Sequence, residues 1–247
     1  MKVLKFTLSG QTAFFKKPDV NAYLYFTYGC IHKIALMGIL GAIMGYGGYN
    51  QQIQDEKAIY PGFYEKLKDI LIGIEPKNSK GYIPKKVQTF NNTVGYANKD
   101  GNLIVREQWL ENPKWNIYLL ICGNIEEEIV DRVINNNYIY IPYLGKNDHL
   151  ANISNIKLIT DLERVEKSEK LDSIFIEDYF KEEDPVNIFD MDFDSEPLYK
   201  YQEILPIALE KTTNQYEFNK FIYTNSKLKE IKDSIVYNCD GEHIFFF

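Results

Sequence analysis

GILGAIMGYGGY, residues 38–49, holds five glycines in twelve positions beside an apolar run. Three structures compete for such a stretch: a loop that cradles a phosphate, a piece of membrane helix, or a helix thinned so that something packs against it. A dinucleotide loop needs G-x-G-x-x-G straight after a strand and at the head of a helix. Gly38, Gly41, Gly45, Gly47 and Gly48 match no such spacing and lie at the end of an apolar segment. A Walker loop needs Gly-Lys followed by Ser or Thr, which the sequence lacks. The longest apolar run, Ile34 to Met44, is 11 residues, against roughly 20 for a spanning helix. On a helix, Ala35, Gly38, Ala42 and Gly45 share one face, with Gly41 beside them. Each helical glycine costs on the order of 1 kcal/mol against alanine, so several imply a gain in close packing. The stretch reads as the thin face and end of a buried helix over Tyr28 to Met44.

Outward from that helix, Lys2 to Leu8 alternates and predicts a first strand, followed by a loop broken at Pro18 and Asn21. Phe63 to Ile72 has Leu67, Ile70 and Leu71 at helical spacing and predicts an amphipathic helix. From Tyr82 to Gln108 the chain reads as a hairpin turning at Asn98–Asn102. Trp115 to Cys122 predicts a buried strand. Ile125 to Ile134, with Glu126, Glu127 and Glu128 in its first turn, predicts a helix. Tyr138 to Tyr143 predicts another strand. Strand, helix, hairpin, strand, helix, strand is the order of a ferredoxin-like, RRM-like α+β unit.

Residues 161–203 are acidic and proline-punctuated and read as a solvated connection. In 204–247 the runs EILPIAL, FNKFIYT, DSIVYN and HIFFF predict a small β-rich appendage on the unit formed by 1–160.

The net charge is −7, but its distribution matters more. Residues 1–160 carry 18 Lys and Arg against 14 Asp and Glu, and residues 161–203 carry 5 against 15. Within the first part, Lys77, Lys80, Lys85, Lys86, Lys99 and Arg106 face only Asp100 between Pro76 and Arg106. These basic residues sit on or beside the hairpin. They serve either as phosphate contacts or as gatekeepers on an exposed strand edge. Phe90, Tyr96, Gln88, Asn91 and Asn92 nearby favour nucleic acid. Three scattered cysteines without a C-x-x-C pair argue against a disulfide framework or zinc ribbon and fit a reducing cytosol. The N-terminus lacks the continuous apolar core of a signal peptide, so a cytoplasmic location is expected.

His32, His149 and His243 are the only histidines. Cys30 and His32 make a poor chelate on a helix, so neither metal nor cofactor is expected. Metal-free RNA cleavage by a His/Tyr/Lys set would use His32 with Tyr46, or His149 with Lys146. His32 and Lys33 stand in the first turn of the long helix, where a phosphate binds or where His32 caps locally.

Three stretches together carry a resemblance: FTLSGQTAFFKKPDVN (6–21), YFTYGCIHKIALMGILGAIMGYGGY (25–49) and YIPYLGKNDHLANI (140–153). They resemble the Cascade subunit that caps the five-prime handle of crRNA, in the RAMP superfamily of CRISPR-associated proteins, and are closest to its type I-B form. The resemblance covers roughly residues 1–160. It implies a modified RRM-like domain with an inserted β-hairpin thumb, here about 82–112, and a smaller C-terminal part. The implied partners are crRNA, the large subunit, the first backbone subunit and target DNA near the thumb, with no membrane. Implied RNA contacts are Lys85, Lys86, Gln88 and Arg106 on the thumb, and Lys16, Lys17, Tyr28, His32, Lys33, Tyr46, Lys146 and His149 around the handle. One branch of the family cuts precursor crRNA with a Tyr, a Lys and a His. This sequence has Tyr46 after the glycine-rich helix but no adjacent Lys-His pair in the central region, where Lys146 and His149 are the nearest candidates, so Tyr46 and His149 stand as the catalytic alternative to a non-catalytic role.

Overall fold

The structure, a computed structural model, describes residues 1–19, 23–55, 57–92, 103–182, 197–231 and 235–247. The first part of the chain runs β1 (Lys2–Ser9), β2 (Thr12–Ala13), α1 (Lys33–Met44), α2 (Tyr49–Gln54), α3 (Gly62–Leu67), β3 (Ile72–Pro76), β4 (Lys85–Asn92), β5 (Leu103–Glu111), β6 (Lys114–Ile121), α4 (Asn124–Ile134) and β7 (Asn152–Ile159). Four of these strands form one sheet in the order β3-β6-β1-β7, and every neighbouring pair is antiparallel. The chain holding α1 therefore connects β1 to β3 across β6, and α4 connects β6 to β7 across β1. The fold is mixed α+β.

Alternation along the central strands separates two cores. Leu4, Phe6 and Leu8 of β1, with Ile117 and Leu119 of β6, meet Leu36, Met37, Leu40 and Ile43 of α1 and Ile129 and Val133 of α4. Each such side chain contributes roughly 1.5–3 kcal/mol on burial. Val3, Tyr118 and Leu120 point to the other face.

The second part of the chain covers that other face. It runs β8 (Glu163–Arg164), β9 (Phe175–Ile176), β10 (Phe180–Glu182), β11 (Lys200–Leu209), β12 (Tyr216–Thr224), β13 (Leu228–Ile231), β14 (Ile235–Cys239) and β15 (Glu242–Phe246). Ile244 and Phe246 of β15 pack on Val3, Tyr118 and Leu120. Phe247 exchanges two backbone hydrogen bonds with Ile72, at 3.0 and 3.2 Å. Beside this apolar patch the same sheet face carries a polar chain. Thr7 Oγ1 donates to Asn116 Oδ1 at 2.8 Å, and Asn116 Nδ2 and Tyr118 OH both donate to Glu75. The tail runs read as strands are β11, β12, β14 and β15.

Four expectations change. The long helix begins at Lys33, because His32 is extended and caps it, and Tyr28 lies in the preceding loop. The helix expected over Phe63–Ile72 ends at Leu67, and Ile72 opens β3, buried along its length between β6 and the C-terminal residues. Tyr138–Tyr143 is not a strand. The amides of Ile139 and Tyr140 instead donate to Ile43 O and Ala42 O of α1, both at 3.1 Å, and Pro142 interrupts any ladder. The fourth strand of the sheet is β7, which follows that segment. Finally, 161–203 is more than a solvated connection, since Leu171, Ile174, Phe175, Ile176 and Phe180 lie in the main core. Its residues 183–196 lie outside the described residues, as does the hairpin turn at 98–102. Among the described residues no helix is long and apolar enough to cross a membrane.

Candidate nucleic-acid interface

The thin face of α1 is the floor of a groove of about 1180 Å³. Ala35, Gly38, Ala42 and Gly45 all line it. A Cβ on Gly38 would meet nothing within 4 Å, so part of this face is bare to the groove rather than packed. Gly41 and Gly45 do serve close packing. A Cβ on Gly41 would come within 2.5 Å of Phe63 Cβ, and one on Gly45 within 2.9 Å of Ile139. Gly45 also adopts φ 77°, the left-handed cap that ends the helix.

The walls combine rings and charge. Tyr46 comes from the glycine loop, Tyr49 from the start of α2, Tyr140 and Tyr143 from the segment capping α1, and Tyr216 from β12. Tyr140 is 61% exposed and Tyr143 44%, which leaves ring faces open to a planar ligand. Lys16 and Lys146 supply positive charge at the groove. Lys16 Nζ sits 4.0 Å above the Tyr25 ring and has no carboxylate partner among the described residues. Lys146 Nζ donates to both oxygens of buried Glu107 at 3.0 and 3.1 Å. Glu107 also accepts from Trp109 Nε1 at 2.8 Å.

The other sequence-predicted residues fall into three groups. Lys17, Tyr28 and Lys85 gather in front of α1 around Glu203 of β11. Lys17 Nζ lies 3.4 Å from the Glu203 carboxylate and 5.2 Å from the Tyr28 ring centroid. Burial, then neighbouring Tyr216, Asp19 and Glu203, raises the Tyr28 phenol's pKa. Desolvation holds the Lys85 ammonium below its ordinary value. Lys86, Gln88 and Arg106 lie on the hairpin, where the β4–β5 register puts Thr89 opposite Arg106 and Lys86 opposite Trp109. Lys85 and Arg106 consequently share one face of the hairpin, and Lys86 and Gln88 the other. Lys86 pairs with Glu111 at 3.4 Å, whereas Arg106 is exposed without an ion pair among the described residues.

Buried residues form the third group. His32 Nδ1 accepts the Ala35 amide at 3.2 Å, and the ring stands edge-on to Tyr28 and Tyr216. Burial pushes its pKa down to about 3, so the ring is neutral. Lys33 is 8% exposed, and burial lowers its ammonium to about 8 against the opposing pull of Asp69. His149 is 1% exposed, with Nδ1 2.7 Å from Thr12 Oγ1 and its ring edge-on to Trp109 at 4.6 Å. Burial lowers its pKa as well. Tyr46 reaches the groove, and burial and then Glu128 raise its phenol. His149 does not line the groove that Tyr46 lines.

Two solved structures align over nearly the whole chain. One is a CRISPR RNA-guided surveillance complex, matched at TM-score 0.52 and 11% identity over 92% of this chain and 91% of the other. The second is a CRISPR protein from Archaeoglobus fulgidus, at TM-score 0.52 and 12% identity over 99% and 98%. The chain shares its fold with these two CRISPR proteins. No protein-family model and no curated protein matches its sequence.

Of the groove, sequence reasoning found Lys16, His32, Tyr46 and Lys146 and missed Tyr140, Tyr143, Tyr216 and Glu107; in front of α1 it missed Glu203. The dense aromatic run YIYIPY was the available signal for the first two, and it was spent on a strand. Glu203, at the end of an acidic stretch, carried no signal of its own.

Proposed function

We propose that this protein is a non-catalytic crRNA-binding subunit of a type I CRISPR effector complex, holding the five-prime handle and touching neighbouring Cas subunits. The observation that carries this reading is the groove over the bare face of α1, with Lys16, which has no carboxylate partner among the described residues, beside Tyr46, Tyr140 and Tyr143. Single-stranded RNA asks for this combination: cations for phosphates and open rings for splayed bases. The sheet order β3-β6-β1-β7 supports a ferredoxin-like RAMP domain, and β4–β5 is the thumb of that reading. Arg106, exposed on the thumb, is its best placed phosphate contact. A non-catalytic role is supported by the placement of His149, which is buried and does not line the groove that Tyr46 reaches, and by the Nδ1 of His32 being occupied by the Ala35 amide.

Titrating labelled crRNA with and without its handle tests the reading. The intact RNA is expected to bind more tightly, with affinity falling steeply as salt rises. Lys16→Ala should lower the log–log salt slope by about 1 without changing sequence preference. Equal affinity for the RNA lacking its handle would overturn the assignment. Discrete cleavage of precursor RNA in EDTA, lost in Tyr46→Phe, would replace it with an endoribonuclease.

A further inference from the structure

The backbone in front of α1 is built to hold an anion, and the chain supplies that anion itself. The Gly29 amide donates to both oxygens of Glu203, at 3.0 and 2.9 Å. Cys30 N–H donates to Oε2 at 3.2 Å and Tyr201 OH to the same oxygen at 2.6 Å. Lys17 Nζ stands 3.4 Å from Oε1. A Cβ on Gly29 would lie 2.5 Å from Tyr201 OH, 3.2 Å from Glu203 Oε2 and 3.4 Å from Lys85 Nζ. Only a glycine lets these three groups converge on the backbone here. Two consecutive amides, a phenol and two ammonium groups form a donor set suited to a tetrahedral oxyanion as well as to a carboxylate.

We propose that Gly29, Cys30, Tyr201, Lys17 and Lys85 form a phosphate-binding pocket that Glu203 occupies from within the chain, so that its carboxylate and an incoming phosphate compete for one set of donors. Glu203 is 11% exposed at its side chain, which leaves the pocket an opening to solvent. While it is seated, its single negative charge offsets one of the two ammonium groups, Lys17 lying 3.4 Å away, and its oxygens occupy both amides. Its withdrawal would raise the charge of the cationic surface that RNA would meet by one and free two amides. The pocket stands on its own geometry, and its use by an RNA backbone rests on the function proposed above.

The test replaces the carboxylate and supplies the anion. In the full-length protein, Glu203→Ala and Glu203→Gln should each gain a saturable rise in Tm with inorganic phosphate, roughly 2–4 °C beyond the wild type. The gain should vanish in the Lys17→Ala/Glu203→Ala double variant. Glu203→Gln keeps an oxygen for the Gly29 amide, so it reports even where the alanine variant fails to fold. A phosphate response equal to that of the wild type in the variants that fold would overturn the pocket. In a second arm, labelled crRNA should show a steeper salt slope with Glu203→Gln than with the wild type. A phosphate gain alongside no crRNA binding by any form overturns the RNA reading and leaves the pocket standing.

Discussion

His32 caps α1 only as a neutral ring, because its Nδ1 must accept the Ala35 amide while the side chain is 4% exposed. Its folded pKa of about 3 lies below the 6.5 of a free imidazole. Between those values the unfolded chain takes up a proton that the folded protein refuses, so stability falls as pH drops from about 6.5 towards 3. The loss approaches ~1.4 kcal/mol per pH unit. Thermal unfolding at stepped pH should show this, and His32→Asn, which keeps an acceptor at the cap, should flatten the curve. Parallel curves for the two proteins would remove His32 as the source. His149 shifts in the same direction, so the variant is expected to reduce the dependence without abolishing it. The sequence showed a histidine at a helix start, one of two readings being a local cap. It did not show the burial, because Tyr216 and Phe15, which close over the ring, come from distant parts of the chain.

Along α1, two glycines three residues apart should respond oppositely to the same substitution. Gly38→Ala adds a methyl into open space and removes a helical glycine, which should stabilise the protein by about 0.5–1 kcal/mol. Gly41→Ala drives a methyl towards Phe63 Cβ at 2.5 Å and should destabilise by roughly 1–3 kcal/mol. Chemical denaturation of both variants reads the sign directly. Gly38→Leu should fold yet lose RNA affinity, because its side chain fills the groove. Helical spacing was enough to predict a thin face. It could not separate packed glycine from bare glycine, since that depends on α3 and on the 138–143 segment docking at one end of the helix. The same docking explains the misread strand: Tyr138–Tyr143 has strand composition, but two of its amides serve the last carbonyls of α1. β7, with partly exposed alternation and Asn155 at φ 50°, gave a weaker strand signal.

At the scale of the molecule, the C-terminal strands are bound into the first part. Leu209 N–H donates to Tyr64 OH at 2.9 Å, Glu203 holds the loop before α1, and β15 lies on the sheet. A chain ended at residue 160 would bare Val3, Tyr118 and Leu120 and is expected to lose its cooperative thermal transition. A sharp, native-like transition in that fragment would show that the first part folds alone. The tail's strands were legible from alternation, but their role as cover was not, because it depends on which sheet face the helices leave open. One consequence concerns light emission. The chain has two tryptophans, and the fold sends them to different environments. Trp115 is fully buried beneath the helices, while Trp109 is tied through Glu107 to Lys146 at the groove. A ligand entering the groove should therefore quench one indole and spare the other, giving the protein its own reporter and its own internal reference.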